Sequence, residues 1–125
     1  MLTKAAPLRA GTMASVATTM VLIAAQASAH AKLESTTPVA NATVSSPKSI
    51  EVHFSEAIEI KMSSLKLTMS DGSAVPVMPM NNAKDPATLS IMPDAALKPG
   101  IYRVIWSVVS DDGHKTRGVF SFTVR

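Results

Sequence analysis

The sequence predicts an all-β domain, a sandwich of about seven short strands joined by turns. Three observations predict it. Apolar residues recur at every second position in several short stretches. Turn-forming residues punctuate these stretches at spacings of roughly 10–15 residues. No stretch carries a 3.6-residue apolar period long enough to compete, so helix should be minor. A first strand is expected to begin at Leu33. In Ser49–Phe54, Ile50, Val52 and Phe54 fall on one face and Glu51 and His53 on the other. Leu65–Met69 alternates likewise and runs into Ser70-Asp71-Gly72-Ser73, whose Asp-Gly pair signals a hairpin. Val75–Met78 would be the return strand, confined to a sheet edge by Pro76. The stretch from Pro79 to Pro86 reads as a surface loop, and Thr88–Met92 as another short strand. Pro99-Gly100 marks a turn into Ile101–Val109, the longest strand, with Tyr102, Val104 and Trp106 at period two. The chain closes on Phe120, Phe122 and Val124, opposite in phase to Ser121 and Thr123.

Residues 1–29 read as a secretory signal peptide. Lys4 and Arg9 form a positive start, Met13–Ala25 is an apolar run of 13 residues, and Ala27-Ser28-Ala29 is an A-x-A cleavage signal. The run is short of the roughly 20 residues that span a bilayer, so cleavage is expected rather than anchoring. Residues 30–125 then form one exported domain, with no membrane insertion after cleavage. Without Lys4 and Arg9, ten basic residues face nine acidic ones, and the formal charge falls from +3 to +1. No Lys/Arg cluster remains that would mark a nucleic-acid surface. The chain has no cysteine, which excludes disulfides and thiolate metal sites.

Cleavage after Ala29 would make His30 the first residue. A terminal histidine offers its α-amine and its ring Nδ1 to one metal ion. Asp112-Gly113-His114 supplies a carboxylate and a second imidazole, and i, i+2 side chains of an extended segment leave on the same side. By itself that motif reads as an ordinary turn with a solvated histidine. Beside His30 it completes three nitrogens and an oxygen, the set a tetragonal Cu(II) ion prefers. His53 lies on the polar face of its strand and reads as a surface histidine. Glu56 reads equally as a solvated strand-end carboxylate or as one reaching toward the same end of the sandwich. Met62, Met69, Met78, Met80 and Met92 are expected to fill gaps in the core, although thioethers also suit Cu(I). No nucleophile–base pair, G-x-S-x-G or glycine-rich phosphate loop occurs, so an enzyme is not expected.

The residues resemble the CopC family of periplasmic copper-resistance proteins. The likeness is carried by His30-Ala31-Lys32-Leu33, Pro38, Phe54-Ser55-Glu56, Leu97–Val104, Trp106–Ser110, Asp112-Gly113-His114 and Gly118–Val124. The resemblance implies a cupredoxin-like or immunoglobulin-like Greek-key β-sandwich or barrel. It implies a monomer that binds one Cu(II) per chain through His30, Asp112 and His114, with Glu56 axial or just behind the ligands. Sequestration, resistance, or delivery to a membrane copper transporter is the implied function, with a CopD-like inner-membrane protein as a possible partner. Some members also hold Cu(I) in a methionine-rich loop. Here Met78–Thr88 has only Met78 and Met80 and no histidine, a departure that places the chain in a Cu(II)-only branch. Two other readings are a copper-dependent oxidative enzyme of the histidine-brace type and a metal-free Ig-like interaction domain. The five aromatics, Phe54, Tyr102, Trp106, Phe120 and Phe122, fall in core phase, which disfavours a flat aromatic substrate face.

Overall fold

The computed structural model describes residues 31–80 and 85–125, together with Thr3 and Gly11. The expected leader, residues 1–29, and His30 lie outside the described segments that make up the fold. Nine strands are found among the described residues. They are β1 (Leu33–Thr37), β2 (Thr43–Val44), β3 (Ile50–Phe54), β4 (Ser64–Met69), β5 (Ala74–Val75), β6 (Val77–Met80), β7 (Thr88–Pro93), β8 (Gly100–Val109) and β9 (Lys115–Val124). One sheet has the order β1-β3-β7-β6 and the other β2-β9-β8-β4-β5. All neighbours are antiparallel except β2, which runs parallel to β9. The only helical element described is one 3₁₀ turn, Ile60–Met62.

The alternation seen in the sequence is the burial pattern of the strands. Ile50, Val52 and Phe54 from one sheet meet Leu65, Leu67, Tyr102, Val104, Phe120 and Phe122 from the other in a single core. Tyr102 stacks on Phe122, with ring centroids 5.6 Å apart, and its hydroxyl donates to the Lys98 carbonyl at 2.7 Å. Trp106 meets Phe54 edge-to-face at 5.2 Å and lies opposite Gly118 on β9. A Cβ on Gly118 would stand 2.4 Å from Trp106 Cζ2, so that position needs a residue without a side chain.

Two expectations are corrected. The return strand predicted over Val75–Met78 is divided by Pro76 into β5 and β6, which belong to different sheets. Proline cannot donate to a ladder, so the chain changes sheets there. Both pieces are edge strands, as the proline suggested. Of the loop expected from Pro79 to Pro86, Pro79 and Met80 belong instead to β6, paired with Ile91 and Ser90, and residues 81–84 lie outside the described residues. The short β2 had no signal in the sequence. Two residues are too few for a period, and its pairing depends wholly on β9.

Candidate metal centre

Three segments converge at one end of the sandwich. The first is Ala31-Lys32. Ala31 is 3% exposed and belongs to the core, and its carbonyl accepts a hydrogen bond from Thr116 Oγ1 at 3.4 Å. The second is Ser55–Ile58. Ser55 Oγ accepts from the Lys32 amide at 2.9 Å, and the Ser55 amide donates to the Lys32 carbonyl at 2.8 Å. The third runs from Ser110 to Thr116. An isolated bridge joins Ile58 to Ser110, and the Glu59 amide donates to the Val109 carbonyl at 2.7 Å. Of the apolar anchors, Ala31 directly follows His30 in the sequence and Ile58 comes two residues after Glu56.

Asp112 and His114 lie on the turn between β8 and β9, and their side chains touch. His114 Nδ1 stands 2.8 Å from Asp112 Oδ2, and the His114 amide donates to Asp112 Oδ1 at 3.2 Å. The route to this proximity differs from the extended geometry expected. Gly113 has φ +86, a left-handed conformation that glycine adopts without strain, and its amide donates to the Ser110 carbonyl at 2.8 Å. A tight turn, rather than strand alternation, brings the carboxylate onto the imidazole.

Ser110 is the residue that sequence reasoning missed. It is 1% exposed. Its hydroxyl donates to Asp112 Oδ1 and lies 3.2 Å from the His114 carbonyl, while its amide donates to that carbonyl at 2.9 Å. The Asp112 carboxyl is held down to about 2, chiefly by the Ser110 hydroxyl; desolvation, the next largest effect, opposes this, and the imidazole and amide of His114 add smaller lowering contributions. The carboxylate is therefore charged and oriented at any ordinary pH. The signal was present in Ser110-Asp111-Asp112-Gly113, a composition typical of turns closed by side-chain oxygens. Which hydroxyl would turn inward was not readable from it.

Glu56 is exposed, directly after Ser55, and so lies at the same end as Ala31 and Ser110. His53 is elsewhere. It lies on the outer face of the β1-β3-β7-β6 sheet, with Nδ1 2.8 Å from Thr88 Oγ1 and Nε2 3.4 Å from Glu34 Oε2. Thr88 Oγ1 donates to Asp85 Oδ2 at 2.6 Å, so it must accept from Nδ1–H of His53. That Thr88 hydroxyl, followed by the Ala87 amide, holds the Asp85 carboxyl below its ordinary range. The surface reading of His53 stands.

The packing role expected of the methionines is overturned. Met62, Met69, Met78, Met80 and Met92 are all exposed. Met78 and Met80 are outward residues of β6, and Met92 lies directly opposite Met78 on β7. Three thioethers therefore share one outer sheet face. Among the described residues no group of three His, Asp or Glu side chains is arranged to hold one ion. Asp112 and His114 supply two donors, and the expected third, His30, lies outside the described residues.

This sandwich, with an Asp-Gly-His turn at the end where the chain enters its first strand, is the architecture of a family of known proteins. The CopC domain matches residues 33–125, and the chain belongs to the CopC family. Copper resistance protein C of Xanthomonas campestris pv. juglandis is 39% identical over 122 residues, covering 89% of this chain and 96% of that protein. Two solved structures are similar. PcoC, a methionine-rich copper resistance protein from Escherichia coli, gives a TM-score of 0.72 at 36% identity, covering 77% of this chain and 99% of that one. CopC from Methylosinus trichosporium OB3b gives 0.71 at 32% identity, covering 76% and 93%. The expected fold class is thereby established.

Proposed function

We propose that this chain is a periplasmic copper-resistance protein that binds one Cu(II) ion and sequesters it or hands it to a membrane partner. The ligands are the amine and imidazole of His30, exposed by cleavage after Ala29, the Asp112 carboxylate and the His114 imidazole. Glu56 stands axial to the ion or behind its ligands. The observation that carries this reading is the anchoring of Ala31. Residue 31 is buried and bonded to Thr116, two residues beyond His114, so the described chain starts at the same end as the Asp112–His114 turn. Three nitrogens with a carboxylate match the preference of Cu(II). The copper resistance proteins to which the chain is similar support the metal.

A carrier is favoured over an oxidative enzyme. Phe54, Tyr102, Trp106, Phe120 and Phe122 are all buried, so none of the aromatics is available to stack on a substrate. A carboxylate ligand also stabilises Cu(II) against reduction. The exposed methionines favour a second, separate reading: Met78, Met80 and Met92 form a soft face suited to Cu(I).

The test is a Cu(II) titration of residues 30–125 with the authentic terminus, against a version bearing one extra N-terminal residue. An α-amine with a pKa of about 7.7–8.0 must release its proton to coordinate, whereas an amide nitrogen is a far poorer ligand. The native form should bind one equivalent, more weakly as pH falls through the mildly acidic range. The extended form should lose most of its affinity and change its nitrogen hyperfine pattern in electron paramagnetic resonance. Equal affinity of the two forms would remove the His30 amine from the site.

A further inference from the structure

The outer face of the β2-β9-β8-β4-β5 sheet is segregated by charge. Ile105 on β8 lies directly opposite Val119 on β9, and Lys66 on β4 lies opposite Ile105 on its other side. Arg103 is two residues along β8 from Ile105, and Arg117 two residues along β9 from Val119, each on the same face because strand side chains alternate. Directly opposed residues stand about 5 Å apart at Cβ, so the two aliphatics and three cations form one patch. Ile105 is 37% exposed and Val119 59%. No acidic residue of any strand in that sheet points to this side. Among the described residues no lysine or arginine takes part in an ion pair. The other sheet is the reverse, with Glu34, Glu51 and Asp85 around His53 on its outer side. In a domain whose formal charge is +1, this is separation of charge rather than excess.

We propose that this cationic face docks a carboxylate-rich protein surface that exchanges copper with the site. The inference rests on the copper-transfer reading above and names the kind of partner. Two features of the face select it. β9 begins at Lys115, immediately after His114, so the patch is continuous with the Asp112–His114 turn, and a partner seated there meets the metal site at its rim. The face is also a hydrogen-bonded sheet surface. It offers short branched aliphatics and no aromatic, which suits a protein surface better than insertion into a bilayer. Cations around a small apolar centre steer an acidic partner to one orientation.

The test uses isotope-labelled residues 30–125 with the native terminus. The probe is a synthetic peptide of alternating glutamate and valine. The peptide should shift amides of β4, β8 and β9. Its affinity should fall about tenfold or more in Lys66→Glu/Arg103→Glu, and should fall as salt rises. The neutral pair Lys66→Gln/Arg103→Gln should lie between, which controls for any disturbance of the fold by charge reversal. Cu(II) affinity should be unchanged in both variants. Shifts confined to the edge strands β1, β2, β5 or β6, or no binding, would overturn the proposal. So would preferential binding to phosphatidylglycerol vesicles, which would assign the face to lipid. Self-association on sedimentation that the charge reversals abolish would assign it to a second copy of the chain and overturn it too. A failed Cu(II) titration of the parent protein would instead sink the copper reading, and the peptide result would stand apart from it.

Discussion

Replacing Ser110 with alanine removes a single oxygen from a residue that is 1% exposed, and leaves the backbone bonds of the turn in place. Asp112 then keeps two donors, the His114 amide at 3.2 Å and the ring Nδ1 at 2.8 Å, and both belong to the residue it must share a metal with. The lost bond is the one that fixes the carboxylate independently of His114, and it is the leading cause of the low Asp112 pKa. Removing a group that orients a metal ligand weakens binding by roughly 10–100-fold. The lower end, about tenfold, is expected here, because the Ser110 amide still holds the His114 carbonyl at 2.9 Å. The metal-free protein provides a second measurement. A carboxyl whose folded pKa is depressed stabilises the fold above its ordinary value of 3.8, and that contribution disappears as pH falls through about 2. In Ser110→Ala the Asp112 carboxyl should titrate closer to 3.8, so its contribution is lost earlier on acidification. Competition against a Cu(II) chelator near neutral pH gives the affinity, and carbon-detected NMR of the side-chain carboxyls gives the titration. Copper affinity within about twofold of the parent, with Asp112 titrating unchanged, would refute the argument.

Other perturbations follow from the same geometry. Glu56→Gln should weaken Cu(II) binding by roughly 10–100-fold and leave the nitrogen hyperfine pattern in place, whereas complete loss of binding would make Glu56 a primary ligand. Joint replacement of Met78, Met80 and Met92 by leucine should leave Cu(II) titrations unchanged and cost less than about 1.5 kcal/mol of stability in chemical denaturation. If the soft face takes Cu(I), competition against a Cu(I) chelator should show one equivalent captured by the parent and none by that triple variant. Gly118→Ala would drive a Cβ to 2.4 Å from Trp106 Cζ2 and should cost about 1–3 kcal/mol, read from tryptophan fluorescence during denaturation.

Period-two alternation located β3, β4, β7 and β8 to within a residue, because each has one face in the core and the other in water, and it located the second half of β9 but not its start at Lys115. The methionines were misjudged for an instructive reason. Residue type argued for burial, but on β6 and β7 the outward phase is occupied by Met78, Met80 and Met92 while Val77 and Ile91 turn inward. Phase outranks hydrophobicity when the two disagree. Pro76 was legible as an interruption but not as a change of sheet, because that depends on which strand receives each half. Asp112 and His114 were legible because the reacting groups are the residues themselves. Ser110 was not, because its role comes from a turn that Gly113 folds back over it.

The burial of Ala31 alters how the terminus should be regarded. Residues next to a cleavage site are commonly frayed. In this chain the second residue of the expected processed protein is part of the core, and the third is bonded twice to Ser55. An amine one residue from such an anchor would lose little freedom on binding a metal, since folding fixes the residue that follows it. The same anchoring explains why one extra residue should be so damaging. A longer chain cannot slide inward to offer its new amine, because Ala31 is fixed by packing, by Thr116 and through Lys32 by Ser55. The new amine would stand one residue farther from the Asp112–His114 turn, and the nitrogen of His30 would be an amide. Proteolysis at Ala29 would therefore act as the final step in assembling the site, and the fold would set where that step must occur.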